Sequence, residues 1–312
     1  MKLNMNFRPM LLDRLKGYTT QMLSRDLMAG LIVGIVALPM AIAFAIASGV
    51  SPEVGLVTAV IGGFIVAALG GSSVQIGGPT GAFIIIVLGI IGEYGMSGLL
   101  LATLMAGILL VLMGVLGLGS LIKFIPYPII LGFTAGIAVT IFTTQVNDLF
   151  GLGLTSLPKE FVPKWGGLLS SLGQTHWLTL AVGLGSIVII QLTPRVTKVI
   201  PGSLIAIVVM TLVGYALKTW GGVTDLVTIG DRYQISTALP TPVAPELSWQ
   251  AIGALISPAF TIALLGAIES LLSASVADGV IGERHRSNTE LLAQGVANVV
   301  VPFFGGIPVT GA

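Results

Sequence analysis

The chain contains no cysteine, which excludes disulfides, thiolate catalysis and Cys-ligated metal sites. It has 2 histidines, His176 and His285, far apart and each beside polar loop sequence, so a histidine metal cluster is excluded as well. Charge is equally scarce. Only 9% of the 312 residues are charged, against roughly 25% in a soluble domain. The formal net charge is +1 and the basic residues are scattered among loops, which gives nucleic-acid binding no footing. Residues 1–26 lack the apolar core and small-residue cleavage site of a signal peptide and read as a cytoplasmic N-terminal segment, part of it an interfacial helix from Pro9 to Asp26.

What fills the chain instead is apolar sequence: 54% hydrophobic, with mean hydropathy +1.02. This is the composition of an all-α polytopic membrane protein. A helix needs about 20 apolar residues to cross a bilayer. Spans are expected at about Leu27–Ala47, Val54–Leu69, Leu99–Leu116, Ile129–Val146, Trp177–Leu192 and Ser203–Leu217. After a polar loop over 218–250 come Ala251–Val276 and a shorter one at Leu291–Phe303. Between Val54–Leu69 and Leu99–Leu116 lies a helix from Pro79 to about Ile91, too short to span alone, preceded by an extended piece at Ser72–Ile76. With the N-terminus in the cytoplasm, Lys2, Arg8, Arg14, Lys16, Arg25, Lys123, Arg195, Lys198, Arg284 and Arg286 fall inside. Only Lys159, Lys164, Lys218 and Arg232 are left outside, the positive-inside asymmetry. Trp165, Trp177, Trp220 and Trp249 fall at span ends or outer loops, as interface anchors do.

One short stretch is nearly repeated. Gly77-Gly78-Pro79-Thr80-Gly81-Ala82 returns at the end of the chain as Gly305-Gly306-Ile307-Pro308-Val309-Thr310-Gly311-Ala312, with two apolar insertions. Proline suits the first position of a helix. Each copy therefore reads as the N-terminus of a helix that begins inside the membrane, where unpaired N–H groups and the positive dipole end favour an anion. Taken singly, each is equally a tight loop between spans. Two copies in matching contexts point to a transporter's binding site. The copies follow segments of opposite direction at nearly equal intervals, Pro39 to Pro79 and Glu269 to Pro308, as an inverted repeat requires. The first repeat then occupies 27–217 and the second begins at 251–312 and looks truncated.

Glu269 is the acidic residue placed well inside a span, where a carboxylate costs on the order of 2.5–3.5 kcal/mol on insertion scales. Ser273 lies one turn on, on the same face, with Ser270 and Ser275 nearby. The pair reads as a site that loads H⁺ or Na⁺, against the alternative of a neutral structural carboxyl. Thr80 and Thr310 offer hydroxyls to an oxyanion, or cap their own backbone. Phe44, about 7.5 Å along its helix from Pro39, forms an apolar wall or simply packs. Asn288, Gln294 and Asn298 read as polar ties between helices, the run Arg284–Glu290 as a basic cytoplasmic loop entering a helix, and Gln145, Asn147 and Asp148 as an outer interface cluster. An intramembrane enzyme would need a nucleophile–base pair or paired metal ligands, and the spans supply neither. A channel or anion sensor would use the same anion site but needs no titrating carboxylate.

Asp26-Leu27-Met28-Ala29-Gly30-Leu31 leading to Ala37-Leu38-Pro39 resembles the first helix of SulP sulfate-permease-type anion transporters. So does Gly266-Ala267-Ile268-Glu269-Ser270-Leu271-Leu272, followed by Asn288, Glu290-Leu291, Gln294-Gly295 and Asn298. The resemblance is to bacterial members that move sulfate or C4-dicarboxylates. It implies a UraA-like, seven-plus-seven inverted-repeat fold with core and gate domains, cut here after the start of the tenth helix and without a cytoplasmic STAS domain. It also implies an anion site between the third and tenth helices, elevator-like exchange, homodimers and a bacterial cytoplasmic membrane. On its terms the substrate positions are Thr80, Gly81, Ala82, Thr310 and Gly311, and the cation-site carboxylate is Glu269 with Ser273 as hydroxyl partner. The anion is not named by these groups, since backbone N–H and hydroxyls serve sulfate, bicarbonate and carboxylates alike.

Overall fold

The computed structural model describes residues 7–120, 127–154, 157–158, 160–197, 200–233, 240–245 and 249–312. Lys2, Lys123, Lys159 and Lys198, four of the charges behind the orientation, lie outside the described residues. In chain order the elements begin with α1 (Met10–Arg14), α2 (Thr20–Ala47) and α3 (Pro52–Val57). A π turn, Thr58–Gly62, leads into α4 (Gly63–Leu69), then β1 (Gly77–Gly78), a 3-10 turn at Gly81–Phe83 and α5 (Ile84–Val115). Next are α6 (Tyr127–Leu149), α7 (Phe161–Ser170), α8 (Trp177–Val196), α9 (Gly202–Thr219) and α10 (Ile229–Arg232). The chain continues with α11 (Trp249–Ile281), α12 (Ser287–Val300), a 3-10 turn at Val301–Phe304 and β2 (Thr310–Gly311).

Among the described residues, 6 helical stretches are long and apolar enough to cross a membrane: Thr20–Ala47, Pro52–Leu69, Gly81–Val115, Trp177–Val196, Gly202–Thr219 and Gln250–Ile281. The spans expected at Pro79–Ile91 and Leu99–Leu116 are one element broken at a single residue. Gly95, with φ 69° and ψ −174°, takes a conformation that costs little without a Cβ and so interrupts α5. The helix of the first motif copy does not start at Pro79. Thr80 is its N-cap, extended at φ −130° and ψ 156°, because its side chain bonds the N–H of Ala82. The expected span at Leu291–Phe303 is also shifted: α12 already begins at Ser287, and only a 3-10 turn follows Val300.

The chain divides into two compact units, residues 1–130 with 235–312, and residues 131–234. In the first, α5, α11 and α12 enclose the main apolar core around Phe83, Leu99, Leu110, Leu255, Ile262 and Leu291. The α5–α12 contact is backbone against backbone. A Cβ on Gly295 would stand 2.6 Å from the Val111 nitrogen, and one on Gly107 2.6 Å from that of Val299. Small residues are what permit such an approach between membrane helices. In the second unit, Val146, Leu152 and Leu168 form a small core, Asn147 bonds both backbone groups of Leu154, and Trp165 donates to Thr143 Oγ1 at 3.1 Å. Trp177 and Trp220 are largely exposed, as anchors at an interface are.

Candidate functional site

The two motif copies meet. β1 and β2 pair antiparallel, with Gly77 opposite Gly311 and Gly78 opposite Thr310. The pairing extends one step outward, where Ile76 and Ala312 exchange backbone hydrogen bonds of 3.0 and 2.8 Å. An expected juxtaposition of the copies is thus realised through backbone hydrogen bonds rather than across a gap. The extended piece lies at Gly77–Gly78, slightly beyond the Ser72–Ile76 expected.

The second copy is held in place by polar side chains of its surroundings. Asn298 Nδ2 donates to Val309 O (2.8 Å) and its Oδ1 accepts from Val309 N (2.9 Å), a two-point grip on one residue. The Thr58 hydroxyl in the π turn accepts from Ile307 N at 2.9 Å while donating to Val54 O at 2.6 Å. On α11, Ser270 Oγ accepts the N–H of Gly311 at 3.0 Å, and Ser270 O accepts from Gln75 Nε2 at 3.0 Å. That carbonyl can only accept, so the Gln75 amide orientation is determined, and its Oε1 faces elsewhere. Gln75 Oε1 and Thr310 Oγ1 are buried without a hydrogen-bond partner among the described residues.

One residue before Ser270 stands Glu269, half-buried, and its Oε2 accepts the Thr80 hydroxyl at 3.0 Å. Thr80 Oγ1 at the same time accepts the N–H of Ala82 at 3.0 Å. The structure therefore joins the expected ion-coupling carboxylate to the expected anion-site hydroxyl directly. It also corrects the picture of free N–H groups: those of Ala82 and Gly311 are taken by Thr80 and Ser270. Ser273 lies half-buried one turn beyond Glu269, Gly81 opens the 3-10 turn, and Ala82 is buried behind it. Phe44 is half-buried on α2, where its carbonyl accepts the Ser48 N–H. The oxygens of Glu269, Thr80 and Ser273 are a hard-donor set of the kind that suits Na⁺, and equally a place for a proton.

Glu290, expected where a basic loop enters a helix, does stand in the first turn of α12, but it is fully buried there and accepts from Gly71 N (2.8 Å), Ser72 N (3.2 Å) and Gln294 Nε2 (2.8 Å). The signal was present: Glu290, Gln294 and Asn298 recur every fourth residue, one stripe of a helix. The neighbouring polar run does contain surface charge. Arg286 reaches Arg8 O (2.8 Å) and Asp13 (2.5 Å), Arg14 bonds Glu283, and Glu283 accepts from Ser73 at 2.7 Å. With Met10 N on Gly70 O at 2.9 Å, these contacts strap the N-terminal segment over residues 70–73. The Arg286 guanidinium holds the Asp13 carboxyl below its ordinary range, and Arg14 does the same for Glu283. Asn288 is a tie of the expected kind, its Oδ1 accepting from Gly119 N at 3.0 Å.

The chain is 45% identical over 300 residues to a Bacillus subtilis (strain 168) protein named for sulfate transport, YvdB, covering 96% of this chain and 56% of that one. It is 34% identical over 297 residues to the bicarbonate transporter BicA of Picosynechococcus sp. (strain ATCC 27264 / PCC 7002 / PR-6), covering 92% of this chain and 51% of that one. The chain thus spans about half the length of these curated relatives. Among solved structures, the transmembrane domain of a cyanobacterium bicarbonate transporter BicA matches with a TM-score of 0.78 and 29% identity, covering 92% of this chain and 73% of that domain. Murine solute carrier 26 family member A9 in its inward-facing state shares the fold, with a TM-score of 0.82 at 20% identity over 96% of this chain and 54% of that one. The UraA-like helical fold is common to these neighbours, and the relatives are transporters, not enzymes. The model of the sulfate permease family matches residues 23–312, and the chain belongs to that family of multi-pass membrane anion transporters.

Proposed function

We propose that this chain forms the anion-binding part of a secondary active transporter that moves a small oxyanion, sulfate or a C4-dicarboxylate, coupled to H⁺ or Na⁺ through Glu269. The observation that carries the reading is the 3.0 Å hydrogen bond from Thr80 to Glu269 beside the paired motif strands. A threonine hydroxyl has one proton to donate. An ionised Glu269 claims it. A proton or a Na⁺ on Glu269 weakens that claim and releases the hydroxyl to an oxyanion, while removing a negative charge that would repel it. Ion and anion then favour each other's binding, and by linkage the favour is reciprocal. With Na⁺, Glu269 and Ser273 would hold the ion as oxygen ligands. Phe44 supplies an apolar wall, and Gly81 lets the ligand approach the backbone, while Gly311 is packed against Gln75 and serves to pair the strands. The unit carrying the site serves as the moving core and residues 131–234 belong to the gate of an elevator-like, dimeric carrier in a bacterial cytoplasmic membrane, with its N-terminus in the cytoplasm.

A second substrate, bicarbonate, is favoured by the likeness to bicarbonate transporters. The test is labelled-anion uptake into proteoliposomes by the full-length protein, with sulfate, succinate and bicarbonate compared under imposed H⁺ or Na⁺ gradients. Glu269→Gln, an imitation of the neutral carboxyl, is expected to abolish accumulation against a gradient and to keep counterflow exchange. A mutant that still accumulates its substrate would make Glu269 structural and end the coupling reading.

A further inference from the structure

One face of α12 reaches the lead-in of both strands. Glu290, Gln294 and Asn298 are 0%, 0% and 1% exposed. At one end Glu290 Oε2 accepts the backbone N–H groups of Gly71 and Ser72, on the approach to β1. Its Oε1 accepts from Gln294 Nε2, and Gln294 O accepts from Asn298 Nδ2 at 2.8 Å. At the other end Asn298 grips both backbone groups of Val309, the residue before β2. We infer that this polar ladder sets the register of β1 against β2, and with it the positions of Thr80 and Thr310. Its members are positioning residues, and none is a ligand.

The donor pattern makes the inference specific. Asn298 meets one donor, Val309 N, and two acceptors, Val309 O and Gln294 O, so it must present one oxygen and one NH₂. An aspartate there sets oxygen against oxygen. Glu290 meets only N–H donors, yet glutamine is expected to be tolerated at that position. Its oxygen would keep Gly71 and Ser72, and its NH₂ would meet a turned-over Gln294 amide, whose Oε1 is buried without a partner among the described residues. Sterics alone, or charge alone, would rank these variants differently.

The test uses the full-length protein with one introduced cysteine pair, Ile76→Cys and Ala312→Cys. These residues exchange both backbone hydrogen bonds, a spacing that suits a disulfide. Cross-linking by a mild oxidant reads the register without any anion. Glu290→Gln is expected to cross-link within about twofold of the parent, whereas Asn298→Asp and Glu290→Ala fall by about tenfold in the monodisperse fraction. Asn298→Ser, whose one short hydroxyl cannot serve Val309 N, Val309 O and Gln294 O together and adds no charge, provides the same loss should the aspartate variant not fold. In transport, KM for the oxyanion rises about tenfold in the low-cross-linking variants while the maximal rate changes less. The KM arm rests on the proposed transport, and the cross-linking arm does not, so a protein that cross-links as expected but moves no oxyanion fails only the former. Cross-linking that is equal in Asn298→Asp, Asn298→Ser and the parent overturns the ladder.

Discussion

The two copies of Gly-Gly…Pro…Thr-Gly-Ala share letters and diverge in use. In the first, the Thr80 hydroxyl is doubly engaged, with Ala82 N–H and with Glu269. In the second, Thr310 is 1% exposed and its buried hydroxyl has no partner among the described residues, while the backbone around it is held by Asn298, Thr58 and Ser270. The glycines differ as well. A Cβ on Gly78 would find its nearest neighbour, Ala59 Cα, at 4.0 Å, but one on its counterpart Gly306 would fall 2.3 Å from Val301 Cγ1. The repeated letters do not prescribe one backbone path: β1 takes the Gly-Gly of the first copy and β2 the Thr-Gly of the second, and Gly305 is left-handed at φ 75° where its counterpart Gly77 is in a strand. The partners come from Glu269, Gln75 and Asn298, which do not repeat, and they decide what each copy does.

If the first copy is the one wired to the coupling ion, Thr80→Val should produce the largest change in affinity. Losing a hydrogen bond to a charged ligand costs roughly 1.5–3 kcal/mol, about tenfold to over a hundredfold. Anion binding to purified full-length protein, by calorimetry, reads it; an unchanged affinity would reduce Thr80 to a cap. The glycine contrast comes next. Gly306→Ala must push Val301 aside and should lower thermal stability by several degrees, whereas the same change at its counterpart, Gly78→Ala, should leave it nearly unchanged. Equal effects would mean that the copies are equally packed. Thr310→Val sharpens the third difference. Removing an unpartnered buried hydroxyl should raise stability by about 1 kcal/mol or leave it unaltered. Lost transport in a stable Thr310→Val protein would show that the hydroxyl is kept for the ligand.

The smallest effect concerns what secures each copy. The approach to the first is strapped by charges, Asp13 to Arg286 and Glu283 to Arg14, and the second by the neutral amide of Asn298. Both carboxyls sit below their ordinary values of 3.8 and 4.5. Depressed carboxyl pKa values contribute stability that is complete above the unfolded pKa and is lost as pH falls through the folded one. Amide exchange at Met10, corrected for intrinsic rate, should therefore be flat from neutral pH down to about 5 and accelerate only in more acidic solution, while Val309 stays protected. Loss of Met10 protection between pH 7 and 5 would assign the strap to other groups.

The motif copies, the long spans and Glu269 were legible because each is a local exception: glycine and proline in apolar sequence, or one acid in a helix. Asn298 was legible as a tie for the same reason. Glu290 was not, because it directly follows a stretch of charged and polar residues, and only its four-residue recurrence with Gln294 and Asn298 marks it as buried. Gln75 lies in a polar stretch before the first motif, and nothing local says that Ser270, far along the chain, will accept its amide. Pro79 misled because proline fits equally well before a cap and after one. Thr80 settles the matter by bonding Ala82 N–H.

The polar stripe of α12 has a consequence for how the protein is made. The helix has 14 residues, about 21 Å, which is short of the roughly 30 Å hydrocarbon layer, and it carries a glutamate, a glutamine and two asparagines. Such a segment is a poor candidate for independent insertion, where each unmet polar group faces lipid. Its partners already exist when it emerges from the ribosome: Gly71 and Ser72 for Glu290, and the glycine-lined groove of α5 for its backbone. α12 is thus expected to enter the bilayer as a late lodger on a finished surface, and a defect in α5 at Gly107 would be felt first as failed integration of a helix synthesised long after it.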